Sequence, residues 1–381
     1  MKIALYTIFR CTNYGAVLQA YALARTLREV LGEDAVDVIN HRMDPRDNHL
    51  LGKITNPNTP WLQRWRNRRK FAARYFRPDL FEARRQKTIG LIETQIRPTE
   101  RIYVHPHEFR SLPPYGTVVV GSDQVWNPAL NHDFGFNQYL AAELPDGQDR
   151  VAYAASFGVS ELPEPCRMGY RNALSRFRKI TVREESGAEI CRTLLGMRPE
   201  VVLDPTLLLP ADAWLSVVGG SRSGLGAIVA YWVRTVTQGD VDALAQVARR
   251  GGSSVRLMSA GPMPKLALPP EIDPYVDADP FDFVRAISAS SAVVTDSFHG
   301  LQFATLFRRP FVALGELSNP RSNASRLVDF GARYGLSGGV HDIEQFRSGA
   351  PCPFASFASF NASALDGDRD RSMKALVGLL P

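Results

Sequence analysis

The amino-acid sequence predicts an α/β protein built from two units, each a parallel β-sheet flanked by helices. The chain opens with an apolar strand over 2–8, a turn, a helix and a second strand that ends at Asn40. Another strand–helix series begins near Gly226. A strand, a turn, a helix and a strand follow one another over 291–314, as in the second half of a βαβ unit. The repeated order indicates two Rossmann-like domains.

Length and composition agree with this organisation. The chain has 381 residues, which is enough for two domains with a core each, and its apolar and charged fractions are those of a globular protein. We expect an N-terminal domain over 1–206 and a C-terminal domain over 207–381. The last short helix, over 373–380, could cross back to the first domain.

The cysteines and the absence of long apolar runs indicate where in the cell the protein is expected. The four cysteines show no paired metal-type spacing, which favours a reducing environment over disulfides or a zinc site; they are Cys11, Cys166, Cys191 and Cys352. The N-terminus lacks the apolar core of a signal peptide, and no apolar run reaches membrane-spanning length. The expected location is cytoplasmic.

The net charge of +6 is concentrated in one segment. Residues 61–88, after a polar loop over 44–58, contain ten basic and two acidic residues, so this segment alone carries +8. One interpretation is a basic amphipathic helix on an anionic membrane surface or against an anionic substrate. The other, which we favour from sequence, is a helical insertion that packs its aromatic residues on the domain and solvates its charges. Nucleic acid is not an expected partner, because no recognised nucleic-acid module accompanies the charge.

The first turn and helix carry the first candidate residues. Asn13, Tyr14 and Gly15 precede a helix whose apolar residues recur every three or four positions, as in a helix lying on a sheet. The turn has no G-x-G-x-x-G and no P-loop, so neither a dinucleotide nor a nucleoside triphosphate is indicated. Asn13 and Gly15 bring backbone amides to a ligand, or they simply form the turn.

Two later strand ends carry further candidates. The apolar strand over 117–120 runs into a polar turn that contains Asp123, Gln124 and Trp126, a favourable place for a ligand. Trp126 either stacks on a sugar or fills the core. Arg183, at the end of another strand, either holds a phosphate or carboxylate or pairs with a neighbouring acid.

The strand over 292–295 leads into Asp296, Ser297 and then a helix that begins near His299. Carboxyl ends of parallel strands and helix N-termini face the ligand crevice in such sheets, and free N–H groups there favour an anion. His299 is therefore a candidate anion-binding residue. The alternative is that Asp296 or Ser297 caps the helix and His299 is an exposed turn residue.

Seven ordered blocks together resemble the polysaccharide pyruvyl transferase family. Each block is short, but all occur in the family's order between residues 13 and 326; the segment 61–88 has no family signature. The blocks lie at 13–23, 121–127, 153–158, 182–184, 203–207, 295–300 and 325–326.

The resemblance implies two Rossmann-like domains in a GT-B-like arrangement, with the active site in the cleft. It also implies transfer of a pyruvyl group from phosphoenolpyruvate to sugar hydroxyls, usually as a ketal, in an exopolysaccharide, capsule or cell-wall glycan precursor. Neither a cofactor nor a metal is required by this scheme. A lipid-linked acceptor would give the basic segment a role at the inner face of a membrane.

Site residues follow from matching this chemistry to the motifs. The resemblance places His299 and Arg183 at the donor, with His299 in donor binding and proton transfer and Arg183 on the phosphate or carboxylate. Arg326 is a second anion-binding candidate, and Asp123 and Asp296 are candidate bases. Further substrate-binding candidates are Asn13, Tyr14, Gly15, Gln124, Trp126, Ser297 and Gly300.

The chain departs from the family pattern at one donor-site position. Some characterised members carry an arginine two residues before the donor-site histidine, where this chain has Ser297. Arg308, Arg309 or Arg326 would then supply the missing cation. Two other functions stay open at this point: a nucleotide-sugar glycosyltransferase on the same architecture, and an inactive member that only binds glycan or lipid.

Overall fold

A computed structural model of the chain describes residues 2–42, 61–130, 137–220, 226–318 and 324–381. It contains a seven-stranded and a six-stranded parallel sheet, which confirms the predicted α/β class with two Rossmann-like units. The predicted loop over 44–58 lies outside the described residues. No helix in the described part of the chain is long and apolar enough to cross a bilayer.

The first sheet has the strand order β3-β2-β1-β4-β5-β6-β7. Its strands are β1 Ile3–Tyr6, β2 Val36–His41, β3 Pro98–Tyr103, β4 Thr117–Val120, β5 Arg150–Ala155, β6 Lys179–Val182 and β7 Glu200–Val201. Its helices are α1 Tyr14–Leu31, α2 Trp61–Arg74, α3 Pro78–Leu91, α4 Glu164–Leu174 and α5 Glu185–Leu195. All four residues of β4 are buried, as expected of a strand covered by helices on both faces.

The second sheet has the order β10-β9-β8-β11-β12-β13. Its strands are β8 Ile228–Trp232, β9 Val255–Ser259, β10 Ile272–Pro274, β11 Ala292–Thr295, β12 Phe311–Gly315 and β13 Val340–Asp342. The remaining helices are α6 Ala211–Val217, α7 Gln238–Gly251, α8 Pro280–Ala289, α9 Phe298–Leu306, α10 Ser325–Arg333, α11 Ile343–Arg347 and α12 Ala362–Val377.

Each sheet has a switch point, the place where the strand order reverses. It falls between β1 and β4 in the first sheet and between β8 and β11 in the second. Ligands of open parallel sheets bind outside the carboxyl ends of the strands at such points. The helices that follow β1 and β11 are α1 and α9, and their N-termini meet where Gly15 packs on His299. The two units therefore face each other across a shared cleft in a GT-B-like arrangement.

Two elements cross between the units. Helix α12 returns to the first sheet, where Ser372 Oγ accepts a hydrogen bond from the Leu203 N–H at 2.9 Å. The basic insertion, α2 and α3, packs on the second unit through the buried rings of Phe71 and Phe81. The Phe76 N–H donates to the Met263 carbonyl at 2.8 Å and continues this contact along the backbone. These crossings tie the two walls of the cleft together.

Candidate active site

Arg183 occupies the centre of a buried charge cluster at the end of β6. Its side chain is 1 % exposed, and Nη1 donates to Asp204 Oδ2 at 2.7 Å and to Asp123 Oδ1 at 3.3 Å. Nε lies 3.5 Å from Glu184 Oε2. Burial alone would lower the pKa of the guanidinium, but the three carboxylates outweigh burial and hold it above its usual range. Arg183 is therefore a fixed positive charge.

His299 reaches the same cluster from the second unit. Its Nε2 lies 3.3 Å from Asp204 Oδ2, and the residue is 5 % exposed. On the other side, the ring lies on the backbone of Gly15, because a Cβ at residue 15 would lie 2.1 Å from Nδ1. Glycine at this position lets the N-termini of α1 and α9 approach closely. Both helix ends add positive potential beside the imidazole.

Asp204 links Arg183 and His299. Its Oδ1 accepts from the backbone N–H of Thr206 at 3.0 Å and from the Thr206 hydroxyl at 2.8 Å, which leaves Oδ2 for Arg183 and His299. Burial would raise the pKa of this carboxyl, but His299, Arg183 and the Thr206 amide outweigh it and hold the pKa well below its usual range. Asp204 is thus ionised and positions both partners.

Arg326 adds a second buried guanidinium at the start of α10. Burial, followed by the charge of Arg183, lowers its pKa to about 10. The guanidinium carbons of Arg183 and Arg326 lie 5.2 and 5.4 Å from the centroid of the Phe298 ring. With the Gln124 amide oxygen turned toward Arg326, that oxygen accepts from Nη2 at 3.0 Å. Two neighbouring buried cations repel each other, and a bound anion would relieve that repulsion.

Several polar atoms of the cluster lack hydrogen-bond partners within the described residues. They are Arg183 Nη2, Glu184 Oε1 and His299 Nε2, whose 3.3 Å approach to Asp204 lacks hydrogen-bond geometry. Buried polar groups without partners are uncommon and point to a missing ligand, ion or water. Their concentration around one arginine indicates a ligand site.

A cavity of about 480 Å³ opens from this cluster between β7, α10 and α12. One end is lined by Arg183, Glu184 and Arg326, and the wall beyond them combines apolar side chains with charged ones on α10 and α12. The apolar part includes Val202 and Phe330. A pocket that combines apolar side chains with convergent polar groups is typical of small-molecule sites.

Asp123 joins the cluster from the first switch point. It has a positive φ of 65°, in the left-handed region that non-glycine residues rarely adopt, and its side chain stays 11 % exposed. The Ser156 N–H donates to its carbonyl at 2.9 Å, which helps to hold the turn. Unusual backbone angles of this kind concentrate at functional sites. The sequence-predicted Asp123 and Arg183 are thus brought together.

Asp296 lies apart from this cluster. Its two carboxylate oxygens accept from the backbone N–H groups of Val233 and Arg234 at 2.6 and 3.0 Å, and Arg234 Nε also donates to it. Burial raises its pKa, against the effect of these donors. The cap of α9 is Ser297, whose side chain accepts from the Gly300 N–H at 3.2 Å. Asp296 therefore joins β11 to the end of β8, and the helix-cap alternative is wrong for it.

Ser297 and Gly300 have structural contacts. A Cβ at Gly300 would lie 2.5 Å from the Thr295 hydroxyl, so the helix can start this close to β11 only with glycine there. Of the three arginines suggested to replace the cation absent at Ser297, only Arg326 lies in the cluster. Arg308 lies over the Phe360 ring, and Arg309 donates to the Ser288 carbonyl.

The prediction of an acceptor pocket is wrong for two aromatic residues. Trp126 is fully buried and packs against Phe157 and Phe177. It therefore fills the core, which is the second of the two interpretations of this residue. Tyr14 is 1 % exposed and donates its hydroxyl hydrogen to the Ala278 carbonyl at 2.9 Å. Neither ring offers a face to a sugar.

Asn13 caps helix α1, which agrees with the interpretation that it simply forms the turn. Its side-chain oxygen accepts from the Gly15 N–H at 3.1 Å and from the Tyr231 hydroxyl of the second unit at 3.1 Å. The residue is only partly buried. Asn13 thus fixes the N-terminus of α1 beside His299 and joins the two units at the cleft.

Sequence reasoning assigned no role to three residues that the structure places at the site or the cleft. Asp204 and Glu184 lie inside two of the motif blocks, but nothing in the spacing shows that their carboxylates converge on Arg183. Arg84 was counted only as one of the basic residues of 61–88. It is 1 % exposed and donates to the carbonyls of Thr12, Ser259 and Ala260.

Metal-binding geometry is not seen in the described residues, where no group of three His, Cys, Asp or Glu side chains is placed to hold an ion. The carboxylates of the cluster instead surround arginine. Among the described residues, the nitrogen atoms of the cluster without a hydrogen-bond partner belong to Arg183 and His299, and N–H donors suit an anion.

A family model described as polysaccharide pyruvyl transferase matches residues 13–318. This span includes every residue of the buried charge cluster except Arg326. Among curated proteins, no relative matches the chain.

The chain is also similar, at low identity, to solved structures. A UDP-GlcNAc 2-epimerase from Methanocaldococcus jannaschii is 10 % identical, with 99 % of this chain and 100 % of that chain covered and a TM-score of 0.45. The ADP-heptose lps heptosyltransferase II of E. coli is 12 % identical, with 100 % and 98 % covered and a TM-score of 0.34. Likeness at this level carries no argument about activity.

Proposed function

We propose that this chain, which belongs to the polysaccharide pyruvyl transferase family, transfers a pyruvyl group from phosphoenolpyruvate to hydroxyls of a glycan sugar and forms a ketal. The glycan would be a precursor of an exopolysaccharide, a capsule or a cell wall. The observation that carries the choice of donor is the pair of buried cations, Arg183 and Arg326, beside His299 and two helix N-termini.

Phosphoenolpyruvate presents a carboxylate and a phosphate on one small carbon skeleton. Arg183 has an Nη2 without a hydrogen-bond partner among the described residues. Burial and the charge of Arg183 lower the pKa of Arg326. An anion bound between the two guanidinium groups would therefore be attracted by both charges. The N-termini of α1 and α9 add backbone N–H groups and dipole potential. The open Nη2 of Arg183, the guanidinium of Arg326 and the two helix ends therefore supply donors for an anionic ligand, beside three carboxylates that pair with Arg183.

The reaction balances without an external reactant. The methylene carbon of the donor gains a proton, and a first sugar hydroxyl bonds to the adjacent carbon as it loses its own proton. The bond from that carbon to the phosphate oxygen then breaks, and a second hydroxyl attacks the same carbon. Its proton is taken up by the departing phosphate, and the products are the ketal and inorganic phosphate.

His299 is the proposed proton carrier to the methylene carbon. Its Nε2 makes no hydrogen bond with the described residues and lies 3.3 Å from ionised Asp204, so this nitrogen is placed to carry a proton. Arg183 and Arg326 would also stabilise the negative charge that develops on the leaving phosphate. The donor role of Arg183 is thus compatible with its ion pairs, because Nη2 stays open.

The acceptor would enter through the cavity. Two carboxylates that contact Arg183 are candidates to accept the proton of the first hydroxyl: Asp123, which stays partly exposed, and Glu184, which lines the cavity and whose Oε1 is unpartnered among the described residues. Glu184 occupies the N-cap position of α5 but makes no side-chain capping bond. Its carboxylate is therefore available to the cavity.

The test is phosphate release from phosphoenolpyruvate in the presence of free and lipid-linked glycans, together with calorimetric titration of the donor. Wild type is compared with Arg183→Gln, Arg326→Gln and His299→Gln. The matched control is Arg249→Gln, because Arg249 lies on the distant helix α7 and pairs at the surface with Glu271.

Glycan-dependent release that the three site variants lose and the control keeps would support the proposal. Donor binding that is lost in both arginine variants but kept in His299→Gln would support the assigned roles. Tight binding of UDP or GDP with no affinity for phosphoenolpyruvate would overturn the proposal in favour of nucleotide-sugar transfer. Glycan binding with neither donor bound would instead indicate an inactive glycan-binding protein.

A further inference from the structure

We propose that helix α2 docks the protein on an anionic lipid bilayer, with Trp61 and Trp65 inserted at the level of the headgroups. This inference goes beyond the transfer reaction, because it concerns a surface outside the cavity. It rests on exposure, charge and spacing within a single helix, Trp61–Arg74.

The two tryptophans are exposed where an ordinary packed helix would bury them. Trp61 is 73 % exposed and Trp65 is 48 % exposed. They are four positions apart in the sequence, so both lie on one face of the helix. The other three tryptophans of the chain, Trp126, Trp214 and Trp232, are fully buried. The expectation that the insertion buries its aromatic residues is therefore wrong for this face.

Another face of α2 holds the helix on the protein. Phe71 is buried in the apolar cluster of the second unit, and Asn67, one turn earlier, is also buried. Just after the helix, Tyr75 forms an isolated bridge with Pro264. The helix is thus fixed with its tryptophan face outward, and docking would not require it to unfold or to detach.

The charge of the helix selects the kind of surface. Its sequence, WLQRWRNRRKFAAR, has six basic residues and no acidic residue. Arg68 and Arg69 are exposed and flank the tryptophan face at helical spacing, and the Arg69 guanidinium lies 4.5 Å from the centre of the Trp65 ring. Basic residues beside exposed aromatic rings complement anionic headgroups above an apolar layer.

A soluble polyanion would explain the arginines but not the tryptophans. Amphipathic helices with a basic polar side and tryptophan on the other lie in the plane of the interface, where indole rings sit at the headgroup level. The combination therefore favours a bilayer over nucleic acid or a free anionic polysaccharide.

The experiment uses the full chain and vesicles of phosphatidylglycerol and phosphatidylcholine. Sedimentation measures binding, and brominated acyl chains report insertion by quenching tryptophan fluorescence. Because three of the five tryptophans are fully buried, quenching reports chiefly Trp61 and Trp65. We expect binding to vesicles that contain phosphatidylglycerol, weak binding to pure phosphatidylcholine, and quenching on binding.

Two variants separate insertion from charge. Trp61→Ser/Trp65→Ser should abolish quenching and most of the binding. Arg68→Gln/Arg69→Gln should lower the partition coefficient about thirtyfold, from roughly fivefold for each charge near the surface. The matched controls are Met168→Ser, at a 74 % exposed apolar residue on α4, and Arg192→Gln/Arg198→Gln, at two exposed arginines elsewhere.

The controls should bind like the wild type, and all variants should keep the wild-type unfolding temperature. Equal binding to phosphatidylcholine and phosphatidylglycerol would overturn the proposal. So would tight binding to heparin with no quenching by brominated lipid, which would assign the helix to a soluble polyanion. Phosphate release measured on soluble glycans does not depend on this surface, so its failure would count against the proposed reaction only.

Discussion

The imidazole of His299 lies directly on the backbone of Gly15, across the boundary between the two units. A Cβ at residue 15 would lie 2.1 Å from Nδ1, 2.3 Å from Cγ and 2.7 Å from Cβ of His299. Rotation of the ring cannot remove the 2.7 Å contact, because Cβ of His299 is bonded directly to the backbone and does not move with the ring. The position of His299 therefore depends on a glycine in the other unit.

Gly15→Ala should displace His299 and lower the rate of phosphate release. A shift of about 1 Å in a reacting group costs on the order of a hundredfold in rate, and we expect a loss of that size in kcat/KM. The measurement is glycan-dependent phosphate release from phosphoenolpyruvate, with circular dichroism to verify folding.

The control is Gly90→Ala on helix α3. A Cβ at Gly90 meets no atom within 4 Å, and glycine weakens a helix by about 0.5–1 kcal/mol relative to alanine. Gly90→Ala should therefore keep full activity and slightly raise stability. Wild-type activity in Gly15→Ala would show that the placement of His299 against Gly15 is not needed for the reaction.

Arg84 is expected to hold the cleft together. Its guanidinium donates to the carbonyls of Thr12 in the first unit and of Ser259 and Ala260 in the second, and its carbon lies 4.4 Å from the centre of the Tyr14 ring. Arg84→Ala would leave three carbonyls without this donor and should cost about 3 kcal/mol of unfolding free energy.

Arg84→Lys should recover little of that loss, because one ammonium group cannot reproduce the planar fork that reaches three carbonyls. The neighbouring Arg85 pairs with Glu82 at the surface, so Arg85→Ala should cost less than about 1 kcal/mol. Chemical denaturation of the three variants provides the measurement. Equal losses for Arg84→Ala and Arg85→Ala would contradict the role of Arg84.

Asp204 should contribute to stability in a pH-dependent manner. Because its folded-state pKa lies below the ordinary carboxyl value of about 4, the ionised group stabilises the folded protein above that pH. The contribution is lost as the pH falls toward the folded-state pKa. Asp204→Asn leaves Arg183 with one carboxylate fewer and should cost about 3 kcal/mol at pH 7.

The measurement is the unfolding free energy of wild type and Asp204→Asn between pH 7 and pH 3. The gap between the two proteins should be constant at neutral pH and should narrow below about pH 4. Asp242→Asn, at an exposed residue of α7, serves as the control and should stay within about 0.5 kcal/mol of wild type. A gap that stays constant down to pH 3 would show that Asp204 has an ordinary pKa.

Trp126 should behave as a core residue rather than as a sugar platform. Trp126→Ala should cost about 3–5 kcal/mol, as for other large aromatic residues in cores. The milder Trp126→Phe should lower the unfolding temperature and leave the KM for the glycan within about twofold, since the ring lies against Phe157 and Phe177. A large rise in that KM with unchanged stability would restore the sugar-stacking interpretation.

The sequence predicted the architecture because its signals are local. Buried parallel strands such as Thr117–Val120 read as short apolar runs, and α1 shows the three-and-four spacing of a helix on a sheet. The order of these elements was enough to indicate two Rossmann-like units.

Much of the site could not be predicted because it depends on contacts between distant residues. Asp204 meets Arg183 because β6 and β7 are neighbours in the first sheet, and it meets His299 only across the boundary between the two units. Arg84 is one arginine among ten basic residues in its segment, and only the fold shows that it is buried. Trp126 was ambiguous for the same reason, because spacing does not reveal which side of a turn faces the core.

Labelled phosphoenolpyruvate would settle whether the cluster of Arg183, Arg326 and His299 is a pyruvyl-donor site. The wild-type protein is incubated with donor labelled in its carboxylate carbon and with the glycan that gives phosphate release, and the purified glycan is analysed by mass spectrometry. The proposed reaction predicts that the label appears in the glycan as a ketal in equal amount to the released phosphate, and that His299→Gln abolishes both. Phosphate release without label in the glycan would contradict it, because the donor would then be hydrolysed and no pyruvyl group transferred.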